Sequence, residues 1–154
     1  MVPVLGVIFS TGAVPFNGPS LVPFAGIIIG GAMNAHSLAG RRAFAALRDD
    51  HATYEAARSV GLVRSDAIAE IVHHLLPEAL VPGLDQTRTV GLVTLPGALV
   101  GVMLGGGTAI QAGAAQVLVL IGLLAAQTIT VAVADRLIRA GRLLPPDLAA
   151  ALRP

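Results

Sequence analysis

Two long stretches of this chain, residues 1–40 and 89–134, contain no arginine, lysine, aspartate or glutamate. They alternate with two charged zones, 41–88 and 135–154, which hold all ten basic residues, every one an arginine. Backbone amides buried in lipid must be satisfied within their own segment, so an uncharged run of about 20 apolar residues is most simply a transmembrane helix. Composition agrees: only 12% of the residues are charged, against about 25% in soluble domains, and mean hydropathy is +0.79. The chain therefore reads as an all-α, polytopic integral membrane protein.

The second uncharged zone divides cleanly into a span at 89–104, a glycine-rich turn at 105–113 and a span at 114–134. In the first zone the prolines and the Asn17-Gly18 pair of "VPFNGPSLVP" interrupt the run. A full span follows at 21–39, and 1–14 is only a partial one. No basic residue precedes that partial span, so it lacks the leading charge of a signal peptide. It reads as a clipped helix of a longer, N-terminally truncated transmembrane domain covering 1–154. Arginine favours the cytoplasmic side, which places 41–88 and the 135–154 tail inside the cell and the turn near 105–113 outside.

Several chemistries are excluded. With no cysteine there is no disulfide, iron–sulfur cluster or thiolate metal site. With no lysine there is no conventional phosphate-binding loop, so Gly105-Gly106-Gly107 is a turn. No Ser-His-Asp or paired-carboxylate arrangement stands out, so no catalytic residue and no cofactor is assigned, and no nucleic-acid partner is expected. His73 and His74 are adjacent, point about 100° apart on a helix and read as a solvated face. No metal ligand set is identified.

The most polar stretch, 49–80, reads as two short helices. Asp49 or Asp50 is placed to cap the first, which runs to Val60 with Gly61 as its stop. Ser65 is placed to cap the second, with Asp66 in its first turn. There Ile68, Ile71, Val72, Leu75 and Leu76 form one apolar stripe backed by Asp66, Glu70, His73 and His74. Too polar to span, this helix is expected at the membrane interface, with Pro77 and Pro82 ending it.

The residues Glu55-Ala56-Ala57, with Gly61 four places on, resemble the EAA signature of ABC-transporter permeases. The stretches "GIIIGGAMNAHSLA" (26–39) and "RTVGLVTLPGALVG" (88–101) are similar to two signature stretches of the FetB-like iron-export permease family. The resemblance extends from Pro19 to Arg139 and leaves out that family's N-terminal half. It implies that Glu55, Ala56, Ala57 and Gly61 belong to a cytoplasmic coupling helix that docks on a separate ATP-binding subunit. It also implies iron or another metal as cargo, export as direction and the cell membrane as location. Gly31 stands where that family usually has asparagine, and Val102 where it often has glutamine. The Ile-x-Leu-Pro ending of importer signatures is also broken, because His74 occupies the proline's place. Two other readings stay open at this stage: a small-solute importer branch, and a non-ABC small membrane protein or degenerate remnant.

Small residues recur at four-residue spacing, Gly26 and Gly30 in one span and Gly97, Gly101 and Gly105 in another, as in close helix crossings in lipid. These rows are expected to pack helices, and a chain this small is expected to work as a homodimer in the bilayer. Met33, Asn34 and Met103 are candidates for a cargo pathway. For Asn34 a helix–helix hydrogen bond, and for the methionines simple gap-filling, are the competing readings. The topology is tested by single cysteines: those at Asn17 and Thr108 should react with an impermeant thiol reagent outside intact cells. One at Ser59 should not, and its labelling would reverse the orientation.

Overall fold

The computed structural model describes residues 2–10, 18–89 and 97–152. Among them every regular element is helical: α1 Val2–Ser10, α2 Gly18–Asp49, α3 His51–Ser59, α4 Arg64–Val72, a 3-10 turn Leu76–Leu80, α5 Val81–Thr89, α6 Gly97–Leu104, α7 Ala109–Arg139 and α8 Pro146–Ala151. Two of these, Leu21–Asp49 within α2 and Ala109–Arg139, are long and apolar enough to cross a membrane.

Helix α2 is longer than the span expected at 21–39. It runs 32 residues without interruption, through Pro23 near its start and through Arg41, Arg42 and Arg48 near its end. The expectation stopped at the first charge, but the helical pattern does not. Phe24, Ile28, Ala32, Ala35, Ala39, Ala43 and Leu47 follow one another at three- or four-residue spacing, and all are buried. The arginines lie off this stripe, where their heads reach water. Helix α7 likewise extends past 114–134 in both directions, because Ala112 and Ile138 continue its buried face. The glycine-rich turn shrinks to 105–108 accordingly. It is closed by Gly106 at φ +83°, with Gly106 N–H donating to Met103 and Gly107 N–H donating to Val102.

The expected span at 89–104 is seen at its two ends only, as the last residue of α5 and the whole of α6; 90–96 lies outside the described residues. So do 11–17, which hold residues 14–17 of the expected break at 14–23 and the end of the partial span at 1–14. Val2–Ser10 of that span is helical, and residues 18–23 of the break, with Pro19 and Pro23, lie within the first turns of α2 instead of interrupting it.

The described chain divides into two compact units. The first comprises residues 1–34 and 82–128. Its core is Ile8, Phe24, Ile28, Ala98, Ala115, Val119 and Ala126, with the Phe9 and Phe24 rings 6.2 Å apart.

The second unit comprises 35–81 and 129–154. Its core gathers Ala35, Ala39, Ala43 and Leu47 of α2, Tyr54 of α3, Val131 and Ile138 of α7, and Leu148 and Leu152 at the C-terminus around α4. Of the predicted stripe, Ile68, Ile71 and Val72 are buried on α4, which ends at Val72; Leu75 is half-buried beyond it and Leu76 is buried at the start of the 3-10 turn. What covers it is the protein's own helices. Ser65 is not the cap of this helix. Val63 occupies that position in extended conformation, and the Ser65 hydroxyl donates to Asp66 instead. Asp50 does stand at the start of α3, but its carboxylate makes no capping bond. Pro77 falls in the first turn of the 3-10 segment, and Pro82 in the first turn of α5, where a missing N–H costs nothing.

Two ion pairs tie this unit across sequence, Arg42 to Glu78 and Arg48 to Asp147, the latter at 2.8 Å. The Arg48 hydrogen bond holds the Asp147 carboxyl below its ordinary range. A depressed carboxylate stabilises above its unfolded pKa, so this contact is present at neutral pH and fades as acid protonates the group. Both partners are about half exposed, and the pair is a minor tether.

The covered stripe gives a direct test. Ile68→Ala should destabilise the chain in detergent by about 2–5 kcal/mol, whereas Val63→Ala, at an exposed position, should stay within about 0.5 kcal/mol. Equal thermal midpoints for the two variants would place the stripe outside the core.

Candidate docking helix and candidate cargo pathway

Helix α3 is fixed to its unit through one face. Tyr54 is buried and Ala57 packs against the same core, and α3 lies against α4. The opposite face is open. The Glu55 side chain is 71% exposed, and its carboxylate lies 3.4 Å from His51 Nδ1, one turn back. Ala56 and Ser59 are exposed beside it, with the Ser59 hydroxyl donating to the Ala56 carbonyl at 2.7 Å.

The end of α3 is built for rigidity. Gly61 has φ +93°, a conformation that a side chain with a Cβ adopts only at a cost. That geometry lets Gly61 N–H reach the Arg58 carbonyl and Leu62 N–H reach the Ala57 carbonyl, which together satisfy the helix end. The Arg58 guanidinium then donates to the Leu62 carbonyl at 2.7 Å, clamping the turn from outside. On either side of the glycine Val60 is 75% and Val63 58% exposed. Glu55, Ala56 and Gly61 of the sequence motif thus lie on exposed surface at one end of this unit, with Ala57 turned inward. Such a face can accept a partner through one carboxylate and a small apolar knob.

The neighbouring face of α4 forms an open depression lined by Leu62, Asp66, Ala69, Glu70, His73 and His74. Among the described residues no group of three or more His, Asp or Glu side chains is disposed to hold a metal ion.

Among the described residues, the glycine rows make no close approach to another helix. A Cβ added to Gly26, Gly30, Gly97 or Gly101 would meet no atom within 4 Å among the described residues, and one on Gly105 would meet only its own helix's carbonyls. The close approaches lie elsewhere in the first unit. A Cβ on Gly31 would fall 2.1 Å from Leu123 Cδ1, one on Gly122 2.5 Å from Ile8 Cδ1, and one on Gly83 2.0 Å from Gln127 Oε1. Sequence reasoning passed over these three because none belongs to a regular row. Gly26, Gly97, Gly101 and Gly105 are exposed and Gly30 is half-buried.

The pathway candidates are also on outer faces: Met33 and Asn34 are exposed on α2, and Met103 is exposed on α6. The buried polar groups of α7 are two glutamines that sequence reasoning did not single out, Gln116 and Gln127. Their spacing of eleven residues puts them on one face of the helix, about 20° apart by the 3.6-residue repeat. That spacing was the available signal.

The family model described as "Uncharacterised protein family (UPF0014)" matches residues 1–141. "UPF0014 membrane protein slr1647" of Synechocystis is 35% identical over 110 residues, 71% of this chain and 42% of that protein. "Protein ALUMINUM SENSITIVE 3" of Arabidopsis thaliana is 32% identical over 120 residues, 75% of this chain and 42% of that protein. "Probable iron export permease protein FetB" of Escherichia coli is 28% identical over 130 residues, 84% of this chain and 50% of that protein. The chain thus spans half or less of the length of these relatives. No solved structure matches it.

The two classes of glycine separate by substitution. Gly31→Leu should destabilise the chain in detergent by about 1–3 kcal/mol or more through overpacking against Leu123. Gly101→Leu should leave its thermal midpoint within about 0.5 kcal/mol and act, if at all, on association between chains. A destabilised Gly101→Leu monomer would show that α6 packs more tightly than the structure has it.

Proposed function

The chain belongs to the UPF0014 family of membrane proteins, and on that premise we propose that it is a membrane-spanning part of an ABC-transporter permease, driven by a separate ATP-binding subunit. The observation that carries the reading is α3. It is a short helix with the Glu55-Ala56-Ala57 signature, anchored by buried Tyr54, ended rigidly at Gly61, and open along the face that bears Glu55. The protein itself does no bond chemistry. ATP is hydrolysed on the partner, and the movement enters through α3, whose Tyr54 shares one core with Leu47 of α2 and Ile138 of α7. Close packing makes such a core transmit a displacement instead of absorbing it.

Iron or another metal is the proposed cargo and export the proposed direction, both supported by the name of the Escherichia coli relative. Among the described residues no side-chain cluster adds a ligand set. The location is the cell membrane, with several crossings, and the working form is a homodimer. The exposed glycine rows are the surfaces available for that association.

The test is co-purification with the ATP-binding subunit, together with iron-dependent ATP hydrolysis in liposomes, for wild type, Glu55→Ala and Gly61→Val. Loss of a charged hydrogen bond at Glu55 should weaken partner binding by about 1.5–3 kcal/mol, roughly tenfold or more, while the chain still inserts and keeps its helicity. Gly61→Val should uncouple hydrolysis by distorting the end of the helix. Unchanged binding and hydrolysis in both variants would overturn the docking role.

A further inference from the structure

The crossing built around Gln127 has a feature that close packing alone does not require. The side chain is 5% exposed, yet its carbonyl oxygen Oε1 has no hydrogen-bond donor among the described residues. Its Nε2 donates to the Gly31 carbonyl of α2, at a long 3.4 Å. Rotating the amide by half a turn would set Oε1 against that carbonyl oxygen, so Gly31 fixes which end faces which way. The unsatisfied oxygen is thereby aimed at α5, where it occupies the space that any side chain at Gly83 would need. One amide on α7 is thus seated between glycines on two other helices, held by contact and poorly satisfied at both ends.

A buried acceptor without a donor disfavours the arrangement that buries it and favours any arrangement that admits one. Packing here favours closure, and hydrogen bonding favours separation of α5 from α7. Opposed terms of this kind make a two-position element. Eleven residues earlier on the same face, about 16 Å along the helix axis, Gln116 is also buried with its Oε1 unsatisfied. The two oxygens are successive stations on one side of one helix.

We propose that the Gln127 crossing of α2, α5 and α7 is a closed gate on the transport route. Its carbonyl oxygen is the group that meets the hydration water of a cation when α5 lifts away, with Gln116 the next such oxygen. This rests on the transport reading given above and moves the pathway from Met33, Asn34 and Met103 to the buried amides of α7.

The protein has no native cysteine, so Ala126→Cys, at a buried position beside the gate, supplies a single reporter thiol. Its rate of modification by a small water-soluble methanethiosulfonate is measured on the full chain in membrane vesicles, in three backgrounds. Gln127→Met keeps the volume and removes the orphaned oxygen; it should slow modification about tenfold by favouring closure. Gly83→Ala places a methyl group where Oε1 lies and should speed modification about tenfold by holding the crossing ajar. A rate in Gln127→Met equal to or faster than with native Gln127 overturns the gate, and it does so even if Gly83→Ala fails to insert. ATP hydrolysis with the partner subunit is read separately. The expected thiol kinetics with no partner-coupled hydrolysis would leave the crossing as a gate and sink the ABC reading. Altered hydrolysis with unaltered thiol kinetics would do the reverse.

Discussion

Everything regular in this protein depends on the need of a backbone in an apolar medium to bond to itself. Two uncharged zones of forty or more residues leave helices as the economical solution, and α2 and α7 take that solution to 32 and 31 residues. Within helices of that length the packing surface is set by small residues. Ala32, Ala35, Ala39 and Ala43 lie along the buried face of α2, and Ala112, Ala115, Ala126 and Ala134 along that of α7. Alanine buries little area per residue, so along these stretches close backbone approach adds to the large side chains that fill the rest, Phe24, Ile28 and Leu47 on α2 and Val119, Leu123 and Ile138 on α7.

The charged zone obeys a different rule. Its helices are too short and too polar to stand alone, and each is held by the apolar side chains it contributes to a shared core. Tyr54 does this for α3, Ile68, Ile71 and Val72 for α4, and Leu148 for α8. The polar faces that remain carry charges at little cost, because water reaches them. This is why α3 can expose a carboxylate, a serine and a valine on one side without losing its position. A docking surface needs that combination of a firmly held backbone and an unoccupied face.

Features governed by local chemistry were legible in the sequence. The uncharged zones, the apolar stripe on α4 and the stop at Gly61 all appear close to where residue type put them. Features governed by three-dimensional neighbours were not. The continuation of α2 beyond residue 39 depends on Ala43 and Leu47 finding partners in the second unit's core, which outweighs the signal of Arg41 and Arg42. The cap at Ser65 was displaced by one turn geometry in favour of Val63. The regular glycine rows attracted attention because a repeat is easy to see. Yet Gly31, Gly83 and Gly122, which do carry close contacts, are single residues whose partners lie far away in sequence. Composition at a position says that close approach is possible; only the fold says with what.

The same distinction applies to polar residues in the spans. Asn34 stood out because it interrupts an apolar run, but on an exposed face an amide can turn toward headgroups, water or a second chain and asks little of the protein around it. Gln116 and Gln127 are buried within their unit, where an oxygen unpaired among the described residues is a standing penalty. Such a group persists in a helix only if the packing that buries it is strong or if some other arrangement satisfies it. Around Gln127 the packing is strong, since glycine is the residue that fits at both Gly31 and Gly83. It leaves the oxygen unsatisfied all the same. A methionine or leucine would fill that space without penalty, so packing does not account for the amide, and an arrangement in which the oxygen finds a donor does.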